Sequence, residues 1–230
     1  MKVKLISYTK NPEQVVVAAI RQCYSSVGAK ELKEKTTKET RERLINQVMA
    51  SGHTSTLEHA SFTFAVEGIS RATETQLVRH RIASFSVQSG RYVKRVGAKF
   101  TIPESVKNNK KIYPKYREIL KDAQALYNEM LEVGIKAEDA RMIQPQSLQI
   151  KLVMTMNARA LLNFFSLRSC QRAQWEIRAM ADKMLKEVKK VAPIIFDKAG
   201  PSCKSQKICW EGDLSCGLYK NLGGELRKRV

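Results

Sequence analysis

One segment of the chain concentrates the side chains and main-chain groups that bind phosphate. Residues 79–92 read RHRIASFSVQSGRY and contain three arginines, three serines, one histidine and one glycine. The planar guanidinium of arginine matches a phosphate group, while serine hydroxyls and the amides beside a glycine add neutral donors. No apolar face with a period of about 2 or 3.6 residues runs through the segment. We therefore predict an ordered loop that binds a phosphorylated small molecule, with a solvated basic loop as the alternative.

The three histidines of the protein, His53, His59 and His80, invite a metal-site interpretation. His53 and His59 are not separated by the four residues that place two metal ligands on one helix face. We therefore predict no metal site. We expect Glu58 and His59 to cap or order the loop that contains them.

A third candidate is a strand that leads directly into a helix at Asn157. Asn157 is predicted to cap a helix that reaches about Arg168, and the free amides at a helix start attract anions. Arg159 and Asn163 are four residues apart and share one helix face, and Arg168 and Arg172 repeat that spacing. The alternative interpretation is a charged helix surface.

These candidate residues must be positioned by a mixture of strands and helices. Alternating apolar and polar residues predict strands at 2–8, 61–67 and 147–156 and a short extended piece at 98–103. Helical periodicity and residues typical of helix starts, among them Asn11 followed by Pro12, predict seven helices. They cover residues 12–23, 37–50, 70–79, 113–133, 136–142, 157–168 and 173–191. The basic segments 30–38 and 107–111 are predicted to be exposed.

The position of the basic segment relative to its helix predicts where phosphate binds. Gln76 and Arg79 end the predicted helix that Ser70 caps. Because the C-terminus of a helix disfavours anions, we expect phosphate beyond it, near Ser89 and Gly90.

The overall composition restricts the class of protein. The chain has 230 residues, 43% of them hydrophobic, and a net charge of +19 that attracts nucleotides, nucleic acid or acidic membranes. A nucleic-acid-binding protein is therefore the main alternative, although no RRM-type aromatic signature or zinc-finger spacing is present. No apolar run approaches the roughly eighteen residues of a transmembrane helix, and the first residues are not typical of a signal peptide. We expect a cytoplasmic enzyme.

The five cysteines give no sign of a disulfide framework, because their number is odd and nothing indicates secretion. Cys203, Cys209 and Cys216 lie in the tail, with gaps too long for a Cys-x-x-Cys zinc knuckle. Packing is the favoured interpretation, while a metal or redox role stays open.

Three segments resemble the flavin-dependent thymidylate synthase family, in the order that the family shows. The first is its signature, Arg-His-Arg followed at fixed spacing by serine, serine and arginine, which matches residues 79–91 without a gap. The second is Gly-His-x-Ser/Thr-x-x-Glu-His, at residues 52–59. The third comprises residues 157–168 and the following Ala-Gln-Trp-Glu at 173–176.

The resemblance implies an α+β fold with an antiparallel sheet packed with long helices, in a single domain that assembles as a homotetramer with shared active sites. Family members transfer a methylene group from methylenetetrahydrofolate to dUMP and reduce it to the methyl group of dTMP. FAD supplies the hydride, and NADPH reduces FAD. The resemblance implies no binding to nucleic acid or membranes. We expect a catalytic domain at 1–200 and a loop-rich, cysteine-containing tail at 201–230.

The resemblance also implies roles for individual residues. Those that correspond to the FAD site are Ser55, Arg79, His80, Arg81, Asn157, Arg159 and Asn163. Those that correspond to the dUMP site are Gln76, Arg79, Val87, Gln88, Ser89, Gly90, Arg91, Arg141 and Arg168. Arg168 is the implied catalytic residue. It would pair with the uracil edge and stabilise negative charge on the pyrimidine, which raises the nucleophilicity of C5.

The chain departs from the family at Ser86-Val87, where many members have Asn-Glu. Val87 offers no carboxylate to the nucleotide, so we expect backbone amides or Gln88 to supply contacts. Cys170 resembles the nucleophile of the classical thymidylate synthases only superficially, since an unactivated helix cysteine usually serves packing. Ser89 has no Asp-His pair placed to activate it as a nucleophile.

Overall fold

A computed structural model describes residues 1–34 and 36–228, and of residues 33 and 34 it describes only the main chain. Lys35, in the segment predicted to be exposed, lies outside the described residues. So do Arg229 and Val230, at the end of the predicted tail.

The chain folds as an α+β domain around a four-stranded antiparallel sheet with strand order β1-β2-β4-β3. The strands are β1 (Lys2–Tyr8), β2 (Ser61–Ser70), β3 (Ser84–Val87) and β4 (Gln149–Asn157). The three strands predicted from alternation are confirmed. Alternate residues of β2 and β4 are buried, as the pleat of a strand with one covered face requires.

Helices fill most of the remaining chain. They are α1 (Pro12–Gln22), α2 (Ala29–Glu34), α3 (Lys38–Ser51), α4 (Arg71–Leu77), α5 (Glu104–Lys107), α6 (Ile112–Glu132), α7 (Ala137–Ala140), α8 (Ala158–Arg168), α9 (Trp175–Val191), α10 (Pro193–Phe196), α11 (Ser202–Ser205) and α12 (Leu218–Asn221). Three short 3-10 helices cover Thr54–His59, Arg141–Ile143 and Gly212–Leu214. No helix in the described part of the chain is long and apolar enough to cross a membrane.

The chain contacts separate two compact units. Unit 1 contains Met1–Lys2, Val66–Arg79 and Phe85–Val153, and unit 2 contains Val3–Ala65, His80–Ser84 and the described residues from Met154 onward. Strands β2 and β4 contribute residues to both units.

The core of unit 2 is aromatic and aliphatic. Phe62, Phe165 and Phe196 are fully buried, and their rings meet edge to face at centroid distances of 5.4 and 6.0 Å. Helix α9 buries one stripe of residues against this core, namely Ile177, Met180, Met184 and Val188. This packing fixes α8 and α9, which contact one another.

Unit 1 is organised by α6. Leu120 and Tyr127 are the buried members of its predicted apolar stripe. The Tyr127 hydroxyl accepts a hydrogen bond from the main-chain N–H of Arg95 at 3.1 Å. The stripe therefore supports the chain that follows the signature segment.

Several predicted helix details are confirmed and others are wrong. Ser70 and Asn157 cap α4 and α8 through their side chains. Asn11 does not, because it adopts a left-handed conformation (φ 52°) in which its side chain makes no capping bond. Helix α4 ends at Leu77 rather than about Arg79, and α8 ends at Arg168. Arg172 is therefore not helical, and the predicted helix face shared with Arg168 does not exist.

The sequence also hid two elements. Strand β3 lies inside the predicted loop, because its four residues alternate serine with half-buried Phe85 and Val87 over too short a distance to stand out. Helix α5 was not predicted either.

The tail contains short elements joined by loops. Strands β5 (Ile208–Cys209) and β6 (Glu225–Leu226) pair in parallel. Cys203 and Cys209 are buried, whereas Cys216 is exposed.

Candidate active site

The signature segment is ordered by its own hydrogen bonds in unit 1. The Gln88 N–H donates to the Lys151 carbonyl at 2.9 Å, which continues the strand pairing beyond β3. The Ser89 hydroxyl accepts the Arg91 N–H at 3.1 Å, and the Ser89 carbonyl accepts the Val93 N–H at 3.2 Å. These bonds form a compact turn typical of serine. The prediction of an ordered loop is confirmed.

The main-chain amide of Gln88 is used within the sheet. It therefore cannot serve as the backbone donor that we expected to act on the nucleotide in place of a carboxylate at position 87. The side chain of Gln88 is the part of this residue that can contact a nucleotide.

Gly90 and Arg141 lie against one another. A Cβ atom at position 90 would lie 3.1 Å from Cδ of Arg141, a separation tighter than ordinary van der Waals contact. Glycine therefore allows the Arg141 side chain to lie directly over the turn. Two residues predicted from separate parts of the sequence are in this way brought together.

Glu138 positions two of the predicted arginines. Its carboxylate Oε2 lies 3.1 Å from Nε of Arg91, and its main-chain carbonyl accepts a hydrogen bond from Nε of Arg141 at 3.1 Å. Sequence reasoning missed Glu138. Its position three residues before Arg141, at the start of a predicted helix, was the available signal.

A cavity of about 290 Å³ in unit 1 is lined by Gly90 and Arg141 together with Arg71 and Arg95. The two latter arginines were not predicted as site residues. Arg71 forms an ion pair of 2.8 Å with Glu74. The cavity wall is strongly cationic, and its chemistry suits an anionic ligand.

Gln76 and Arg79 lie at the end of unit 1 that precedes His80. The Gln76 amide donates to the Ala72 carbonyl at 3.2 Å, and Arg79 is exposed. In the described residues no hydrogen bond or ion pair joins Ser55, Arg79 or Arg81 to another predicted residue.

In unit 2, His80 and Arg168 form a direct pair. The Nε of Arg168 donates to Nε2 of His80 at 2.9 Å, and the His80 ring packs edge to face on Phe164 at a centroid distance of 4.9 Å. Burial lowers the pKa of His80 from 6.5 to about 4, and the neighbouring Arg168 charge acts in the same direction. His80 is therefore neutral at neutral pH, with its proton on Nδ1, since Nε2 accepts.

The start of α8 presents the third predicted segment. Asn157 Oδ1 accepts the Ala160 N–H at 2.8 Å. Arg159 and Asn163 are both exposed on one face of α8, as predicted. Arg159 forms a 2.6 Å ion pair with Glu58, so Glu58 does order its segment. The 3-10 helix that carries Ser55 packs against α8.

The remaining reactive groups show no sign of metal or thiolate chemistry. No group of three or more His, Cys, Asp or Glu side chains in the described residues is arranged to hold a metal ion. Burial raises the pKa of the Cys170 and Cys203 thiols above the usual 9.0. Both are therefore protonated at neutral pH, which is typical of packing cysteines.

Comparison with known proteins identifies the family. Residues 4–194 match the family model described as thymidylate synthase complementing protein. The chain is 48% identical over 219 residues to the flavin-dependent thymidylate synthase of Geobacter sulfurreducens, covering 94% of each chain. It is 44% identical over 222 residues to that of Thermococcus onnurineus, covering 93% of this chain and 91% of the relative.

A solved structure shows the same fold. The UMP/dUMP methylase PolB from Streptomyces cacaoi, bound with 5-Br dUMP, matches with a TM-score of 0.75 and 28% identity, over 85% of this chain and 93% of that chain. The family model covers all three segments in which the candidate residues lie. The chain therefore belongs to the thymidylate synthase complementing protein family, whose curated relatives are flavin-dependent thymidylate synthases.

Proposed function

We propose that this protein is an FAD-dependent thymidylate synthase that reductively methylates dUMP to dTMP for DNA precursor synthesis. Methylenetetrahydrofolate is the carbon donor and NADPH reduces the flavin. The observation that carries the proposal is the 48% identity, over nearly the whole chain, to a flavin-dependent thymidylate synthase. The two arginine-containing clusters described above are the chemistry that such a reaction needs.

We assign dUMP binding in unit 1 to the residues around the turn. The ordered turn at Ser89 and Gly90 and the arginines on either side of Glu138 supply neutral and charged donors for a phosphate. The full set of proposed dUMP ligands is Gln76, Arg79, Val87, Gln88, Ser89, Gly90, Arg91, Arg141 and Arg168.

Arg168 is the proposed catalytic residue. Its partner His80 is neutral and accepts a hydrogen bond, so the guanidinium is fixed in place without losing its charge to a carboxylate at that bond. A fixed cation at the uracil edge stabilises negative charge that develops on the pyrimidine ring and thereby favours bond formation at C5. His80 acts in this scheme as the residue that orients Arg168.

The donors of unit 2 fit FAD chemically. Arg159 and Asn163 present a guanidinium and an amide on one exposed face of α8, and the Ser55 hydroxyl is exposed nearby in the segment that packs on this helix. Such groups suit the diphosphate and the polar ring edge of FAD, which supplies the hydride when bound. The proposed FAD ligands are Ser55, Arg79, His80, Arg81, Asn157, Arg159 and Asn163. The Nδ1 proton of His80 is the donor that its bond to Arg168 leaves for this purpose.

The family resemblance also supports the proposals on organisation. We expect a catalytic domain at 1–200 with a separate tail at 201–230, a homotetramer with shared active sites, and a cytoplasmic location. The end of the family match at residue 194 supports this domain boundary. Light scattering of the purified protein tests the tetramer, and a monomer would contradict it.

Absorbance spectroscopy tests the function first. We expect the purified protein to show flavin bands that bleach when NADPH and dUMP are added without oxygen. Addition of methylenetetrahydrofolate should then yield dTMP. A colourless protein that fails to take up added FAD would refute the proposal and favour the nucleic-acid-binding alternative.

A further inference from the structure

Arg95 is a buried cation in unit 1, with only 8% of its surface exposed. A buried charge is costly unless an opposite charge or several hydrogen bonds compensate for it. In the part of the chain that the structure describes, no ion pair joins Arg95 to a carboxylate. The carboxylate of Glu74 forms its ion pair with Arg71 instead.

The polypeptide holds Arg95 firmly. Its Nη2 donates to the Gln88 carbonyl at 2.9 Å, its main-chain N–H donates to the Tyr127 hydroxyl, and its carbonyl accepts a hydrogen bond from the Gln124 amide. By contrast, its Nε is buried and has no hydrogen-bond partner among the described residues. The guanidinium is therefore preorganised while one of its donors is unsatisfied.

The surroundings of Arg95 are cationic as well. Arg95, Arg71 and Arg141 line the same cavity of about 290 Å³, beside Gly90. Burial lowers the pKa of Arg95, and the positive charges of Arg71 and Arg141 act in the same direction. Three guanidinium groups around one cavity repel each other, and a bound anion would relieve this repulsion.

We propose that Arg95 is a further substrate-binding residue of this chain, which contacts the phosphate group of the nucleotide in the cavity that it shares with Arg71 and Arg141. The inference rests on the proposed function. Arg95 lies four residues beyond the last signature arginine and outside every segment that carries the family resemblance. Its bond to the Gln88 carbonyl links the cavity to the turn at Ser89 and Gly90, so the charge and the turn approach the same phosphate.

The test compares a ligand with and without phosphate on the FAD-loaded, full-length protein. Isothermal titration calorimetry measures the Kd of dUMP and of deoxyuridine for the wild type, Arg95→Gln, Arg95→Lys and Lys94→Gln. Gln retains an amide donor but removes the charge, and Lys retains the charge. Lys94 is the matched control, because it is the adjacent cation and is exposed.

For Arg95→Gln we expect the Kd of dUMP to rise at least tenfold, about 1.4 kcal/mol, while the Kd of deoxyuridine stays within about twofold. Arg95→Lys should keep the Kd of dUMP within about threefold of the wild type, and Lys94→Gln should change neither ligand. The inference is overturned if Arg95→Gln binds dUMP within about threefold of the wild type, or if it weakens both ligands equally.

The design separates this inference from the proposed function. A wild type that binds no dUMP would refute the proposed function, whereas the inference fails with wild-type dUMP binding intact. If Arg95→Gln does not retain FAD, Arg95→Met replaces it in the same pair of titrations. Arg95→Lys provides a further check, since a Lys variant that weakens dUMP and deoxyuridine alike would show that Arg95 serves only the fold.

Discussion

Arg168 in unit 2 and Arg91 in unit 1 are both proposed to bind the nucleotide, yet they are held by opposite kinds of partner. Arg168 donates to the neutral imidazole of half-buried His80, whereas Arg91 forms an ion pair with the partly exposed carboxylate of Glu138. A neutral acceptor fixes a guanidinium without compensating its charge. A carboxylate compensates the charge, so that an incoming phosphate must compete for it.

This difference agrees with the proposed roles. A residue that stabilises charge during the reaction benefits from a fixed position and a neutral partner. A residue that binds phosphate from solution can exchange one anionic partner for another at little net cost, because an exposed ion pair is worth only about 0–1 kcal/mol. The following predictions test the comparison.

The largest effect is expected for Arg168→Ala. The variant should bind FAD but form dTMP at least about a hundredfold more slowly, because the cation at the uracil edge is removed. Flavin absorbance and a dTMP assay measure the two properties. Arg172→Ala, which removes an exposed arginine four residues further on, is the control and should retain activity. An Arg168→Ala enzyme with substantial activity would contradict the assigned role.

His80→Phe tests whether the neutral acceptor matters. The phenyl ring keeps the packing on Phe164 but cannot accept the hydrogen bond from Arg168, so we expect kcat to fall about tenfold. His53→Phe is the matched control, because His53 is exposed. Steady-state kinetics decide the question, and an unchanged kcat in His80→Phe would show that Arg168 is positioned by other contacts.

The same pair of variants predicts a difference in the pH dependence of stability. The pKa of His80 is lowered from 6.5 to about 4, so between these values the unfolded chain binds more protons than the native protein. The contribution of His80 to the free energy of unfolding is therefore present above about pH 6.5 and is lost as the pH falls toward 4. Urea unfolding at several pH values should show a flatter curve for His80→Phe than for His53→Phe. Identical slopes would mean that His80 titrates normally.

Glu138→Gln tests the other half of the comparison. The variant removes the carboxylate from Arg91 but keeps the main-chain carbonyl that accepts from Arg141. Because phosphate no longer competes with a carboxylate, we expect the KM for dUMP to fall by a factor of about two to five. Asp139→Asn removes an adjacent exposed carboxylate and should leave the KM unchanged. A raised KM in Glu138→Gln would show that Glu138 serves mainly to position Arg91.

The smallest effect is expected for Cys170→Ser. Burial raises the pKa of the Cys170 thiol, and the proposed chemistry depends on the Arg168 charge rather than on a thiolate. The kcat should therefore stay within about twofold of the wild type in the dTMP assay. Loss of turnover in a folded, FAD-loaded Cys170→Ser protein would revive the cysteine-nucleophile hypothesis.

The sequence alone determined the elements with a strong local signal. The alternation in β4 and the caps at Ser70 and Asn157 depend on interactions within a few residues, so periodicity and residue type suffice to predict them. The signature segment was likewise recognisable, because its residue types and spacing are contiguous in the chain. The exposed face shared by Arg159 and Asn163 follows directly from helix geometry.

Tertiary structure decided what these residues contact. The pairing of His80 with Arg168 joins positions 88 residues apart, and that of Arg159 with Glu58 joins positions 101 apart. The low pKa of His80 depends on burial, which no residue type reveals by itself. Glu138 and Arg95 were invisible in the sequence for the same reason, since each resembles an ordinary surface charge until the fold places it beside the signature turn.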